Sequence, residues 1–138
     1  MGCVDDDAFL AAAIARVGEV ATRLPETLEQ DAWIGVRWRI RTRTFAHVAP
    51  VRDGWPAAHA RAALGGAGPH AVLVFHADLD EVVTFEHLGP PWFKPPWSAT
   101  VVGLVLGTGT DWDEVAEVVT DSYCLRAPKK LAALVERP

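Results

Sequence analysis

Residues 36–48 read Val-Arg-Trp-Arg-Ile-Arg-Thr-Arg-Thr-Phe-Ala-His-Val, with arginine at every second position: Arg37, Arg39, Arg41 and Arg43. Successive side chains on a strand point to opposite faces. This alternation therefore predicts an extended segment with Ile34, Val36, Trp38 and Ile40 on an apolar face and the arginines in a stripe on the other. Apolar residues hold even positions up to Ile40, yet the next large one is Phe45. Because the side-chain period of a strand is two, that change of parity predicts a turn or bulge between Arg41 and Thr44. Two arginines then lie on a strand and two at a hairpin tip. Two uses of the arginines stay open: the solvated outer face of a half-buried strand, as most charge runs are, or a surface whose guanidinium forks bind phosphate or nucleic acid.

Upstream, Asp5 to Asp7 open a helical pattern of Phe9, Ala12, Ala13, Arg16, Val17 and Val20 that Leu24-Pro25-Glu26 stops, and the arginine strand follows it. Downstream, a second strand is expected near Phe45 to Val51, turn chemistry at residues 53–56 (Asp-Gly-Trp-Pro) and a loop at residues 64–69 (Leu-Gly-Gly-Ala-Gly-Pro). Residues 71–75 and 101–106 are short apolar strands, and Asp80 to Leu88 is a short helix followed by Gly89. Between them, Pro-Pro-Trp-Phe-Lys-Pro-Pro-Trp at residues 90–97 suits no regular element. Asp111 and Glu114 are placed as cap and third residue of a helix whose Trp112, Val115, Ala116, Val119 and Tyr123 form one apolar stripe, with Trp112 expected to be largely buried. Pro128 suits the first position of a last helix ending near Glu136. The element order predicts an α+β fold: an antiparallel β-sheet covered by helices, with an N-terminal helix and two C-terminal helices, in a single domain over residues 1–138.

Half of the 138 residues are hydrophobic, enough for one compact core. No apolar run approaches the roughly 20 residues of a membrane helix, and the first residues carry acids where a signal peptide carries bases, so a cytoplasmic protein with no membrane partner is expected. Cys3 and Cys124 lie far apart and form neither a disulfide framework nor a CxxC pair, and are read as reduced thiols. The net charge of −5 conceals a segregation. Residues 1–31 carry two basic against seven acidic side chains, net −5, and residues 32–77 six against one, net +5. Residues 78–124 carry one against nine, net −8, and residues 125–138 four against one, net +3. Such blocks either build one positive face or neutralise one another.

The two serines, Ser98 and Ser122, lie outside any GxSxG elbow, Gly-Thr-Gly-Thr-Asp at residues 107–111 lacks the lysine of a phosphate loop, and the five histidines show no HExxH spacing. Glu86-His87 reads as a solvated helix end, and the acids near Asp111 as partners of a helix dipole. Hence no catalytic residue, metal ligand or cofactor is expected. Six tryptophans are many for this length, and Trp92, Phe93 and Trp97 lie among prolines. They pack over a core edge or, with Tyr123, line a cleft for a small molecule or peptide. Lys129 and Lys130 open the last helix, where the dipole disfavours bases, so another influence is expected to favour positive charge there.

Leu-Pro-Glu at 24–26, Arg-Ile-Arg-Thr-Arg-Thr-Phe-Ala at 39–46, Pro-Pro-Trp at 95–97 and, above all, Asp-Trp-Asp-Glu-Val-Ala-Glu-Val-Val with Ser-Tyr-Cys-Leu-Arg-Ala-Pro-Lys-Lys-Leu within 111–131 resemble the MmcQ/YjbR family over nearly the whole chain. The resemblance implies a small double-wing or frataxin-like α/β domain of a kind described as DNA-binding, and it adds no catalytic residue. The family's arginine-glycine-lysine turn falls on Arg41, Thr42 and Arg43, and its terminal tyrosine and lysine on Tyr123 and on Lys129 or Lys130. Thr42 departs from the usual glycine, so the turn is expected to be of a type without positive φ, or a bulge. The function expected is a non-enzymatic domain that binds DNA or another phosphate-bearing partner through Arg37, Arg39, Arg41, Arg43, Lys129 and Lys130. The alternative is a binding module with an aromatic cleft at Trp92, Phe93, Trp97 and Tyr123.

Overall fold

The computed structural model of the chain describes residues 3–32, 34–51 and 70–136. The turn and loop expected at residues 53–56 and 64–69 lie outside the described residues. Helix α1 (Cys3–Ala21) is followed by strands β1 (Thr27–Asp31), β2 (Val36–Ile40), β3 (Arg43–Val51) and β4 (His70–His76). Then come helix α2 (Leu79–Leu88), strands β5 (Trp92–Phe93) and β6 (Val101–Leu106), and helices α3 (Trp112–Arg126) and α4 (Lys129–Ala132). The strands form a six-stranded antiparallel sheet in the order β1-β2-β3-β4-β6-β5. This is the α+β architecture expected, with α1 and α3 packed together against the sheet.

Alternation on the central strands builds the core between sheet and helices. Trp38, Ala46, Phe75 and Val102 occupy one cross-strand row, and all are buried. Helix α1 closes this core with Ala13, Val17 and Ala21, spaced four apart so that they share a stripe, and α3 with Val115, Val119 and Tyr123. Of the apolar pattern read for α1, Ala12 and Arg16 are exposed. The opposite face of the sheet holds a smaller cluster of Ala49, Val51, Val72 and Phe93. Phe93 crosses β6 at Gly103, where a Cβ would lie 2.2 Å from its ring.

Strand β1 was not foreseen. Thr-Leu-Glu-Gln-Asp has no apolar alternation because it is an edge strand, exposed at four of its five residues, and backbone pairing to β2 with polar contacts of Glu29 and Gln30, rather than apolar burial, holds it. Trp112 is half-buried instead of largely buried, because it sits in the first turn of α3 with the Arg16 guanidinium 4.9 Å from its ring centre. The last helix is one turn long and ends at Ala132 rather than near Glu136, with Pro128 as its N-cap. Among the described residues no helix is long and apolar enough to cross a membrane.

Candidate phosphate-binding surface

Ile40 pairs with Arg43, so β2 and β3 are joined by the two-residue turn Arg41–Thr42. Left-handed backbone is required there, but at Arg41 (φ 58°) and not at Thr42, so the expectation of a turn without positive φ is corrected. A bulge follows: Trp38 faces Ala46 while Arg39 faces Thr44, leaving Phe45 as the extra residue of β3. Phe45 and Ala46 are consequently both buried, which is the parity break seen in the sequence.

Turn and bulge together divide the arginines. Cross-strand partners share a face, so Arg37, opposite His47, and Arg39, opposite Thr44, lie on the side away from the helices. Arg43, opposite Ile40, lies on the helix side. The single stripe is therefore not formed. On the first side, the Gln30 Oε1 accepts from Arg37 Nε at 3.1 Å and from Arg39 Nη1 at 2.9 Å, while Arg39 Nη2 donates to the Arg41 carbonyl at 3.2 Å. At the tip, Arg41 pairs with Glu26 at 3.3 Å. Both partners are more than half exposed, so the pair contributes only about 0–1 kcal/mol to stability.

Arg43 Nη1 donates at 3.2 Å to the carbonyl of Arg126, the last residue of α3, where unpaired carbonyls and the helix dipole favour a cation. The Arg126 guanidinium is thereby brought beside a like charge, and burial, then Arg43, lowers its pKa. Its Nε is buried and has no hydrogen-bond partner among the described residues. Ile40, Arg41, Thr42, Arg43, Arg126 and Pro128 line a cleft of about 400 Å³. Lys129 and Lys130 follow Pro128 directly, are exposed, and form no ion pair among the described residues. Sequence reasoning missed Arg126 as a site residue, and Gln30 and Glu26 as the groups that orient arginines. Nothing in their spacing marks them, since all three act through contacts between separate elements.

The four aromatic residues of the alternative cleft do not converge. Trp92 and Phe93 are consecutive on β5 and point to opposite faces: Trp92 joins Phe75 and Phe85 in the main core, and Phe93 joins the opposite cluster. Trp97 is 45% exposed, and Tyr123 is fully buried. The Tyr123 hydroxyl donates to the Pro25 carbonyl at 2.7 Å and its ring meets Phe45 edge-on, so it ties α3 to the chain between α1 and β1.

A second cleft, of about 280 Å³, lies between α2 and α3 and is lined by His76, Asp78, Glu81, Phe85, Asp121 and Cys124 among others. Burial, then the hydrogen bond and charge of Asp78, then the charge of Asp121, raise the Glu81 pKa. Among the described residues no group of three or more histidine, cysteine or acidic side chains is placed to hold a metal ion. Beside this cleft, Ser122 Oγ donates to the Phe45 carbonyl at 2.6 Å and accepts from the His76 amide at 2.9 Å, and His76 Nδ1 lies 3.1 Å from Thr100 Oγ1. Burial, and next the Arg126 charge, lowers the His76 pKa to about 4. Unfolded histidine titrates near 6.5, so the unfolded chain binds the extra proton first as pH falls. Stability present above about pH 6.5 is therefore expected to decline towards pH 4. Denaturant unfolding between pH 7 and pH 4 checks this, with His76→Gln flattening part of the acid limb; an unchanged limb would show that His76 does not contribute to it.

No family model matches the chain, and no curated protein matches it. Two solved structures share the fold. A structural-genomics protein from Pseudomonas syringae superposes with a TM-score of 0.58 at 12% identity, over 74% of this chain and 88% of its own. A Deinococcus radiodurans protein with a DUF419 domain superposes with a TM-score of 0.59 at 15% identity, over 88% of this chain and 86% of its own.

Proposed function

We propose that the chain is a non-enzymatic, MmcQ/YjbR-like domain that binds a phosphate-bearing partner, DNA foremost, over the surface that runs from Arg37 and Arg39 around the hairpin tip to Lys129 and Lys130. The family assignment draws on the sequence resemblance and on the relation of DUF419 to the MmcQ/YjbR-like fold. The observation that carries the function is the junction of two basic blocks, net +5 and net +3 in the sequence, at the contact between the hairpin tip and the end of α3. Positive side chains from segments 83 residues apart thus adjoin in a chain of net charge −5. A local field of one sign is what draws a polyanion to one end of an otherwise acidic protein. The non-enzymatic assignment rests on the missing elbow, phosphate-loop and HExxH patterns.

Duplex and single-stranded DNA titrated over a salt series test the proposal. Replacing Arg37, Arg39, Lys129 and Lys130 by glutamine is expected to weaken binding and to reduce the slope of log K against log salt by roughly 0.9 per lost phosphate contact, with the fold retained. Absence of any affinity at low salt, where the electrostatic contribution is largest, rejects DNA as the partner.

A further inference from the structure

We propose that the cleft between the hairpin tip and the end of α3 is a site for a dianionic phosphate monoester, carried on a nucleic-acid end or on a free nucleotide. The proposal deepens the phosphate-binding function above and rests on it for the nucleic-acid source alone. Three guanidinium groups border the cleft, Arg41, Arg43 and Arg126, and one carboxylate, Glu26, offsets Arg41. The balance is two positive charges. His76, which faces Arg126 from β4, is neutral at pH 7 because its pKa lies near 4, and adds none. A phosphate monoester carries about −1.5 to −2 at neutral pH, whereas each backbone diester carries one charge, so the monoester is the closer match.

Geometry adds to the charge count. Arg43 and Arg126 come from different elements and are held together by the Arg43 bond to the Arg126 carbonyl, so two like charges stand side by side. A bound dianion relieves that repulsion. The buried Nε of Arg126, which has no hydrogen-bond partner among the described residues, belongs to a planar fork whose spacing suits phosphate oxygens. Pro128 walls one side of the cleft with apolar surface, which strengthens an ionic contact made beside it. The outer pair, Arg37 and Arg39, lies on the other face of the sheet, oriented by Gln30, and follows diesters with its remaining N–H groups while the cleft holds a terminus.

Binding of AMP against adenosine, and of one oligonucleotide with a 5′-phosphate against the same strand with a 5′-hydroxyl, tests the site at fixed salt. AMP is expected to bind at least about tenfold more tightly than adenosine, and the phosphorylated strand at least about tenfold more tightly than its hydroxyl counterpart, each about 1.4 kcal/mol. Arg126→Gln is expected to abolish both preferences, to lower the affinity for the hydroxyl strand by no more than the loss of one phosphate contact, and to leave the melting temperature nearly unchanged. Arg43→Gln reports the same loss should Arg126→Gln prove unstable. Equal binding of AMP and adenosine with equal binding of the two strands overturns the site and leaves the broader DNA surface standing. Phosphate preference that survives both substitutions also overturns it, by placing the site elsewhere. AMP discrimination without DNA binding keeps the site, identifies a nucleotide as its source, and removes DNA as the partner.

Discussion

Trp38→Ala is expected to destabilise the fold by about 3–5 kcal/mol, a large share of the roughly 5–15 kcal/mol that holds a domain of ordinary stability together. Trp38 is completely buried on β2, between β1 and β3, so truncation forfeits the transfer of a large aromatic surface and leaves a cavity that strands on both sides prevent from collapsing. Its indole Nε1 also donates to Glu29 Oε1 at 2.8 Å, which attaches edge strand β1 to the core. Trp38→Phe keeps most of the apolar area and loses the hydrogen bond, for a smaller expected cost of about 1–2 kcal/mol. Urea unfolding checks both through the shift in midpoint, and equal costs for the two variants would contradict a packing origin.

Gly35→Ala is expected to cost about 2–4 kcal/mol. Gly35 sits between β1 and β2 at φ 74°, where an L-residue is strained by about 1–2 kcal/mol. A Cβ there would lie 2.0 Å from the Val48 carbonyl oxygen and 2.8 Å from the Ala49 Cα. Both are backbone atoms inside a strand, so relief requires β2 and β3 to separate, adding the cost of overpacking. Gly109→Ala, where a Cβ meets nothing within 4 Å, is the control and is expected to stay within about 0.5 kcal/mol. Thermal unfolding of the two variants side by side measures the difference.

What could be read in advance follows from which interactions are local. The central strands and α3 carry their burial in the period of their own residues, so 71–75, 101–106 and the stripe from Val115 to Tyr123 were legible. The hairpin was legible too, since the parity change from Ile40 to Phe45 needs no knowledge of the rest of the chain. Strand β1 was not, because its place depends on hydrogen bonding to β2 and not on hydrophobic alternation. Nor was the division of the arginines legible: parity indicated a turn or a bulge, and the chain uses both, which places Arg43 on the helix side. The cleft itself depends on Arg126 meeting Arg43 across 83 residues, and no local pattern carries that contact. The aromatic cluster failed for the opposite reason. Proximity in sequence suggested a common pocket, while two consecutive strand residues point apart.

The exposed edge at β1 bears on colloidal behaviour. The sheet's other end is blunted, since β5 is only two residues long and is flanked by Pro90, Pro91, Pro95 and Pro96, which have no amide hydrogen to offer an incoming strand. At β1 no further strand pairs with the outer edge among the described residues, so alternate amides and carbonyls point outward, beside a Leu28 that is 60% exposed. The short length of the strand and the charges of Glu29 and Asp31 oppose strand addition by a second copy. Self-association in concentrated solution is therefore expected to begin at this edge and to be suppressed by Leu28→Lys, which removes the apolar contact and adds the charge that natural edge strands most often carry.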